Sequence, residues 1–148
     1  MTTDTISAGI QSELRQTFDQ WLNAVLAMDV DRIMSHYAPD IVSYDAIVQL
    51  QFRGADAYRK HWQACFDMSP GELIFEVEDL HLAAGGEVGF CHCLTWCGIR
   101  AEDGSEKAGW MRMTAAYRKI AGQWRIVHEH FSVPFDMASG KALFDLKP

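Results

Sequence analysis

An α+β fold, with helices first and a curled, mostly antiparallel sheet after them, follows from two features of the chain. Helical spacing of apolar residues is confined to the first half. From about residue 72 onward, alternating β-branched and aromatic stretches are separated only by short turn-rich joints. Strands that succeed one another through short joints pair antiparallel, and helices segregated from such a sheet make an α+β domain. The 148 residues fit one domain spanning 1–148, large enough to bury a core, and 49% hydrophobic with 22% charged residues is ordinary for a globular chain.

The elements can be justified in order. Residues 1–8 read as a polar tail. From Ile10 to Met28, the residues Ile10, Leu14, Phe18, Trp21, Leu22 and Val25 mark one face of an amphipathic helix. Asp29 suits the cap of a second, short helix reaching about Tyr37, with Asp31 in its first turn. Pro39 then disfavours helical geometry at Ala38 and stops it. "IVSYDAIVQLQF" is one bent strand or a small hairpin. A third helix lies in "GADAYRKHWQACFDM", with Tyr58, Trp62, Cys65 and Phe66 on its apolar side, and "SPG" ends it. Strands are expected at 72–82, 87–99, 107–120 and 123–133, joined by "AAGG", "RAEDGSE" and "AG", and a tail covers 134–148.

Charge and composition narrow the partners. A formal net charge of −7 with no basic cluster argues against nucleic acid, whose binding draws on Lys and Arg. No apolar run approaches the roughly 20 residues of a membrane helix, so no membrane partner is expected. The opening stretch lacks the regions of a signal peptide, and none of Cys65, Cys91, Cys93 and Cys97 forms a CxxC pair. A cytoplasmic home with reduced thiols is the expectation. Cys91, Cys93 and Cys97 share a strand face and are read as core residues, not as metal ligands.

The most informative stretch is "WRIVHEHFSV", residues 124–133. In a strand, Trp124, Ile126, His128, His130 and Ser132 share one face while Arg125, Val127, Glu129 and Phe131 share the other. If Ala121 and Gly122 form the joint to the preceding strand, Ile126 faces Tyr117, His128 faces Ala115 and His130 faces Met113. Glu129 then points away from this stripe, within reach of Arg112. Burying an unpartnered imidazole costs about 1–3 kcal/mol. Two of them at the polar end of a stripe therefore suggest the wall of a pocket, the competing reading being core histidines that find hydrogen-bond partners. A metal would need a third ligand, and none stands at diagnostic spacing.

"SHYAPDIVSYD", "FRGADAYRKHW" and "YRKIAGQWRIVHEHFSVPFD" together resemble the SnoaL-like proteins of the nuclear transport factor 2-like superfamily, over the span from about Ile10 to Phe135. The resemblance implies a cone-shaped fold of three helices and a curved sheet around one deep pocket. Members range from ketosteroid isomerase and polyketide cyclases to non-catalytic binding domains, so fold alone does not assign a function. By the resemblance, Asp45 occupies the place of the isomerase's catalytic aspartate, which moves a proton beside a carbonyl. Trp21 stands where the isomerase has its oxyanion-hole tyrosine, and no carboxyl group is found near Met113, where the second oxyanion-hole acid belongs. The His-x-His pair is similar to SnoaL-like relatives and to the association domain of a calmodulin-dependent kinase, where that strand lines the pocket. Read without the resemblance, Asp45 at a strand end is more often a turn former.

The expected catalytic residues are thus Asp45 as base, with His128 or His130 as acid or orienting group, and the expected lining is Trp21, Tyr44, Trp62, Met113, Tyr117 and Ser132. The expected ligand is a small, largely apolar organic molecule that is isomerised, cyclised or dehydrated without a metal or organic cofactor. The alternative is a non-catalytic ligand-binding or dimerisation module. A homodimer is expected through the opposite sheet face, assigned Trp110, Arg112, Thr114, Val127, Glu129, Phe131 and Val133, unless the C-terminal tail covers that face.

Overall fold

The computed structural model describes residues 3–148. Three helices precede and interrupt the first strands: α1 (Thr3–Leu26), α2 (Val30–Met34) and α3 (Ala55–Asp67). The strands are β1 (Tyr37–Tyr44), β2 (Phe52–Arg53), β3 (Glu72–Gly85), β4 (Val88–Arg100), β5 (Glu106–Ile120) and β6 (Gln123–Ser132). They form one sheet in the order β2-β1-β6-β5-β4-β3. All pairings are antiparallel except that of β1 with β6.

The first helix is longer than its apolar spacing predicts. It begins at Thr3, so the described part of the expected polar tail is helical. Its buried stripe of Leu14, Phe18, Trp21, Ala24 and Val25 recurs at helical spacing and forms one wall of the core. The second helix is shorter than expected. Asp29 caps it by accepting the Arg32 N–H, and the chain is already extended at Tyr37. Pro39 therefore sits inside a strand, where the pairing of β1 with β6 skips between Tyr37 and Val42. A residue with no N–H is tolerated at such an irregularity. "IVSYDAIVQLQF" resolves as a hairpin, with Ser43 opposite Phe52 across a loop that starts at Asp45.

The decisive feature of the sheet lies between β5 and β6. Ala121 and Gly122 both take positive φ, 49° and 79°, the backbone of a two-residue primed turn. As predicted, Tyr117 pairs with Ile126. The next pair is Ala116 with His128, which leaves Val127 without a partner, and a β-bulge of this kind exchanges the two faces of a strand beyond it. Glu129 now stands opposite Ala115 and Phe131 opposite Met113, both turned inward and buried. His128, His130 and Ser132 turn outward beside Ala116, Thr114 and Arg112. The inward placement of the two histidines and of Ser132, and the outward placement of Glu129 and Phe131, are both corrected. Burying a phenylalanine contributes about 1.5–3 kcal/mol, and the exchange gains this while leaving two imidazoles accessible to water. Its cost is a buried glutamate.

The C-terminal tail folds back on itself through a bridge between Phe135 and Ala142. Phe144 packs on Gly109 of β5, where a Cβ would lie only 2.8 Å from it. Gly109 shares the strand face of Met111 and Met113, so the tail's Phe144 sits against the inner face of the sheet and not over Trp110 on the outer one.

Candidate functional site

Between α3 and the inner face of the sheet lies a cavity of about 210 Å³. Its walls are apolar, with Trp62 and Phe66 from the helix facing Leu73, Phe75, Met111 and Phe131 from the strands. Asp45, His61 and Cys65 supply a polar end. Three short-range features place those side chains. β1 ends at Tyr44, and the Asp45 carboxylate accepts the Ile47 N–H at 3.1 Å, forming the turn that leaves the strand. On α3, Tyr58, His61, Trp62 and Cys65 recur at three- and four-residue spacing and so face one way. The His61 ring stacks on Phe52 of β2 at 4.1 Å, which fixes its plane.

These constraints bring His61 Nε2 to 3.3 Å from Asp45 Oδ1, with side-chain exposures of only 8% and 12%. Burial by itself would lower the imidazole pKa, but the hydrogen bonds to Asp45 and Cys65, with the Asp45 charge, raise it to about 9. At neutral pH the pair is therefore carboxylate and imidazolium.

Behind this pair runs a second layer of buried polar groups. The Tyr58 hydroxyl lies 3.1 Å from Asp45 Oδ2 and 3.3 Å from Glu129 Oε1. Glu129 is fully buried. Burial raises its carboxyl to about 8, against the lowering effect of the Tyr37 hydroxyl; the Asp45 charge raises it further and Tyr58 opposes. The Trp21 indole N–H donates to the Tyr37 hydroxyl at 3.1 Å. Burial, and then the charge of Glu129, hold both tyrosine hydroxyls well above their ordinary pKa, so they remain donors.

The expected site residues divide. Asp45 and Trp62 line the apolar cavity. Trp21 is fully buried behind it, edge-on to Trp62 and Phe75. Met113 and Tyr117 are core residues, 1% and 2% exposed, and do not line this cavity. Tyr44 is on the other side of the sheet, its ring 4.6 Å from that of His128 and 5.6 Å from that of His130. His128 donates from Nδ1 to the Val42 carbonyl at 2.7 Å. Ser132 accepts from Arg112 at 2.9 Å, taking the place expected for Glu129. His130 and Asp45 do share a second groove, with Tyr44, Gln49, Leu50, Gln51 and Phe131, and Asp45 and Phe131 stand between it and the apolar cavity.

Sequence reasoning missed His61, the Tyr58 hydroxyl and Glu129. The first two carry a signal, because both fall on the apolar stripe of α3 at the spacing of Trp62 and Cys65. The third depends on the bulge at Val127, which the alternation of the strand does not disclose.

Burial pushes the Cys91 and Cys93 thiols up to about 12 and Cys97 to about 11, so all three stay protonated. Among the described residues, no three His, Cys, Asp or Glu side chains converge as metal ligands. Nor is any described helix long and apolar enough to cross a membrane.

Solved structures share this arrangement. An NTF2-like protein of unknown function from Pseudomonas putida is 45% identical, with a TM-score of 0.90, and the match covers 96% of this chain and 99% of that one. A protein of unknown function with a cystatin-like fold from Nostoc punctiforme is 16% identical at a TM-score of 0.69, covering 82% and 89% of the two chains. A ketosteroid isomerase-like protein from Erwinia carotovora is 15% identical at 0.69, covering 82% and 94%. At such low identity the last two speak for the fold alone. No curated protein matches the chain. The SnoaL-like domain family matches residues 14–136. With helices and curved sheet arranged as in these structures, the chain belongs to the SnoaL-like family of the nuclear transport factor 2-like superfamily.

Proposed function

We propose that the protein binds a small, neutral, largely apolar organic molecule in the cavity under α3 and moves a proton on it. The observation that carries this reading is the Asp45–His61 pair at the polar end of an otherwise apolar cavity. A carboxylate is a base and an imidazolium is an acid, and holding both beside a water-poor space is the arrangement that proton abstraction next to a carbonyl, or loss of water, requires. His61 takes the part first expected of His128 or His130, because it is the histidine on the cavity side of the sheet. Isomerisation, cyclisation and dehydration all fit such a pair, and no step of them calls on a metal or organic cofactor.

A second reading, a non-catalytic binding module, is favoured by one detail. Asp45 already receives the Ile47 N–H, the Tyr58 hydroxyl and His61, so both its oxygens are engaged before a ligand arrives. Hydrogen–deuterium exchange separates the two readings. Small alicyclic and aromatic ketones are incubated with the protein in heavy water, and exchange beside the carbonyl is followed by NMR. Under the first reading, exchange is accelerated and falls by two to four orders of magnitude in Asp45→Asn, the usual size of a lost general base. Ketones that bind, as seen by thermal shift, but exchange at the uncatalysed rate establish the second.

We also propose that two copies associate through the outer face of the sheet, where Trp96 and Trp110 lie side by side with ring centroids 5.4 Å apart.

A further inference from the structure

Tyr58 has one hydroxyl hydrogen and two carboxyl neighbours. Asp45 Oδ2 is at 3.1 Å and Glu129 Oε1 at 3.3 Å, and the tyrosine is fully buried. A phenol donates once. If both carboxyls were ionised, one of the two contacts would set lone pairs against lone pairs in a site closed to water. A second proton is required, and it must reside on one of the acids.

The surroundings decide which. Asp45 faces a backbone N–H and His61, both donors. Glu129 faces no cation. The titratable groups around it are Tyr37 and Asp45 from β1 and its end, Tyr58 from α3, Tyr117 from β5, and Cys91 and Cys93 from β4. All of these are neutral or negative. The Tyr37 hydroxyl also faces Glu129, but no group sits in hydrogen-bond geometry with Oε2. The proton therefore belongs to Glu129, which donates to Tyr58, which in turn donates to Asp45.

We infer that Glu129 is a positioning residue of the site: as a neutral acid it directs the Tyr58 hydroxyl onto Asp45, and on ionising it draws that hydroxyl to itself. Losing its proton to water leaves a carboxylate that accepts the Tyr58 O–H. Asp45 then keeps only the Ile47 N–H and His61, and it gains a second negative charge nearby. Oδ2 of Asp45 is then free to take a proton from a ligand. Activity at Asp45 is thereby tied to the state of a residue that touches neither cavity nor ligand. The catalytic consequence rests on the proton-transfer reading above, whereas the switch itself does not.

The test begins without any ligand. Infrared spectra of the full chain at neutral pH should contain a protonated-carboxyl band that fades as pH passes about 8 and is missing from Glu129→Gln. The carbon NMR signal of the Asp45 carboxyl should shift through the same transition in the wild type and stay flat there in Glu129→Gln, whose amide donates to Tyr58 at every pH. Circular dichroism confirms that the variant folds. An absent band, a band that survives in Glu129→Gln, or an Asp45 signal unmoved through the transition overturns the inference. In the ketone exchange assay, the wild-type rate should rise through this pH and the Glu129→Gln rate should not. A catalytic rise that persists in Glu129→Gln likewise refutes the positioning role. Ketones that never exchange refute the proposed reaction while leaving the two spectroscopic results to stand.

Discussion

Asp45 reaches from the end of β1 to His61 on α3, with 3.3 Å between Oδ1 and Nε2, and its carboxylate helps hold the imidazole protonated. Replacing Asp45 by asparagine removes the charge and leaves burial opposed by Cys65 alone. His61 should then titrate well below about 9. NMR titration of the ring protons checks this, and an unchanged value sinks the assigned pair. The same change also weakens the turn that the carboxylate makes with the Ile47 N–H. A stability loss of about 1–3 kcal/mol is expected for the disturbed buried hydrogen bonds, larger than for a free catalytic carboxylate. Urea unfolding measures it.

Stability should fall as pH rises. Glu129 is raised from 4.5 to about 8, and His61 from 6.5 to about 9. In each case the folded state holds a proton that the unfolded chain has released. The associated stability is fully present below the unfolded values and is lost as pH climbs through the folded ones. The apparent Tm should therefore decline between about pH 5 and 9, and Glu129→Gln should flatten the earlier part of that decline. A Tm that climbs over this interval contradicts both assignments.

The bulge at Val127 makes opposite predictions for two adjacent residues. Phe131 is 8% exposed, whereas its neighbour His130 is exposed on the outer face. Phe131→Gln should cost about 3–5 kcal/mol, in the range of large core truncations. His130→Gln should stay within about 0.5 kcal/mol, as surface changes do. A strand without the bulge reverses the order, so comparing the two unfolding midpoints decides the register.

Spacing and alternation carry much of this fold in the sequence. The apolar stripe of α1, the Asp29 cap and the Ala121–Gly122 turn each depend on residues close together in the chain, and each is present in the structure. Asp45 is legible locally only as a turn former at a strand end, which its contact with the Ile47 N–H matches, and its place at a pocket comes from the family resemblance. The inner wall of β6 is not legible, because alternation in that strand is satisfied equally well in either direction. Packing of Phe131 against the core chooses between them, and that preference exists only once β5, β6 and the helices are assembled. His61 lies between these cases. Its helical spacing with Trp62 and Cys65 is legible, but the carboxylate that gives it a role comes from a different element.

The last prediction concerns the outer face. With Glu129 and Phe131 turned inward, that face differs from the one expected from alternation. It now holds Phe90 and Leu94 of β4 beside Trp110 and Arg112 of β5. Phe90 is 47% exposed, and Trp96 and Trp110 are half-buried against each other. Phe144 of the C-terminal tail does not provide the cover, since it packs on Gly109 from the inner side. Apolar side chains of this size, set among the exposed His92, Arg112, Thr114 and His130, are poorly suited to water, and a second copy can cover them with the same patch about a two-fold axis. Light scattering at tens of micromolar protein should thus give twice the mass of the 148-residue chain. Leu94→Asp or Trp110→Asp should return it to a monomer with its helix and strand content intact, because neither side chain belongs to the inner core. Phe131→Glu is unsuited to this test, as it would disrupt the core whatever the oligomeric state. A monomeric wild type ends the dimer proposal, and a dimer that survives both substitutions moves the interface elsewhere.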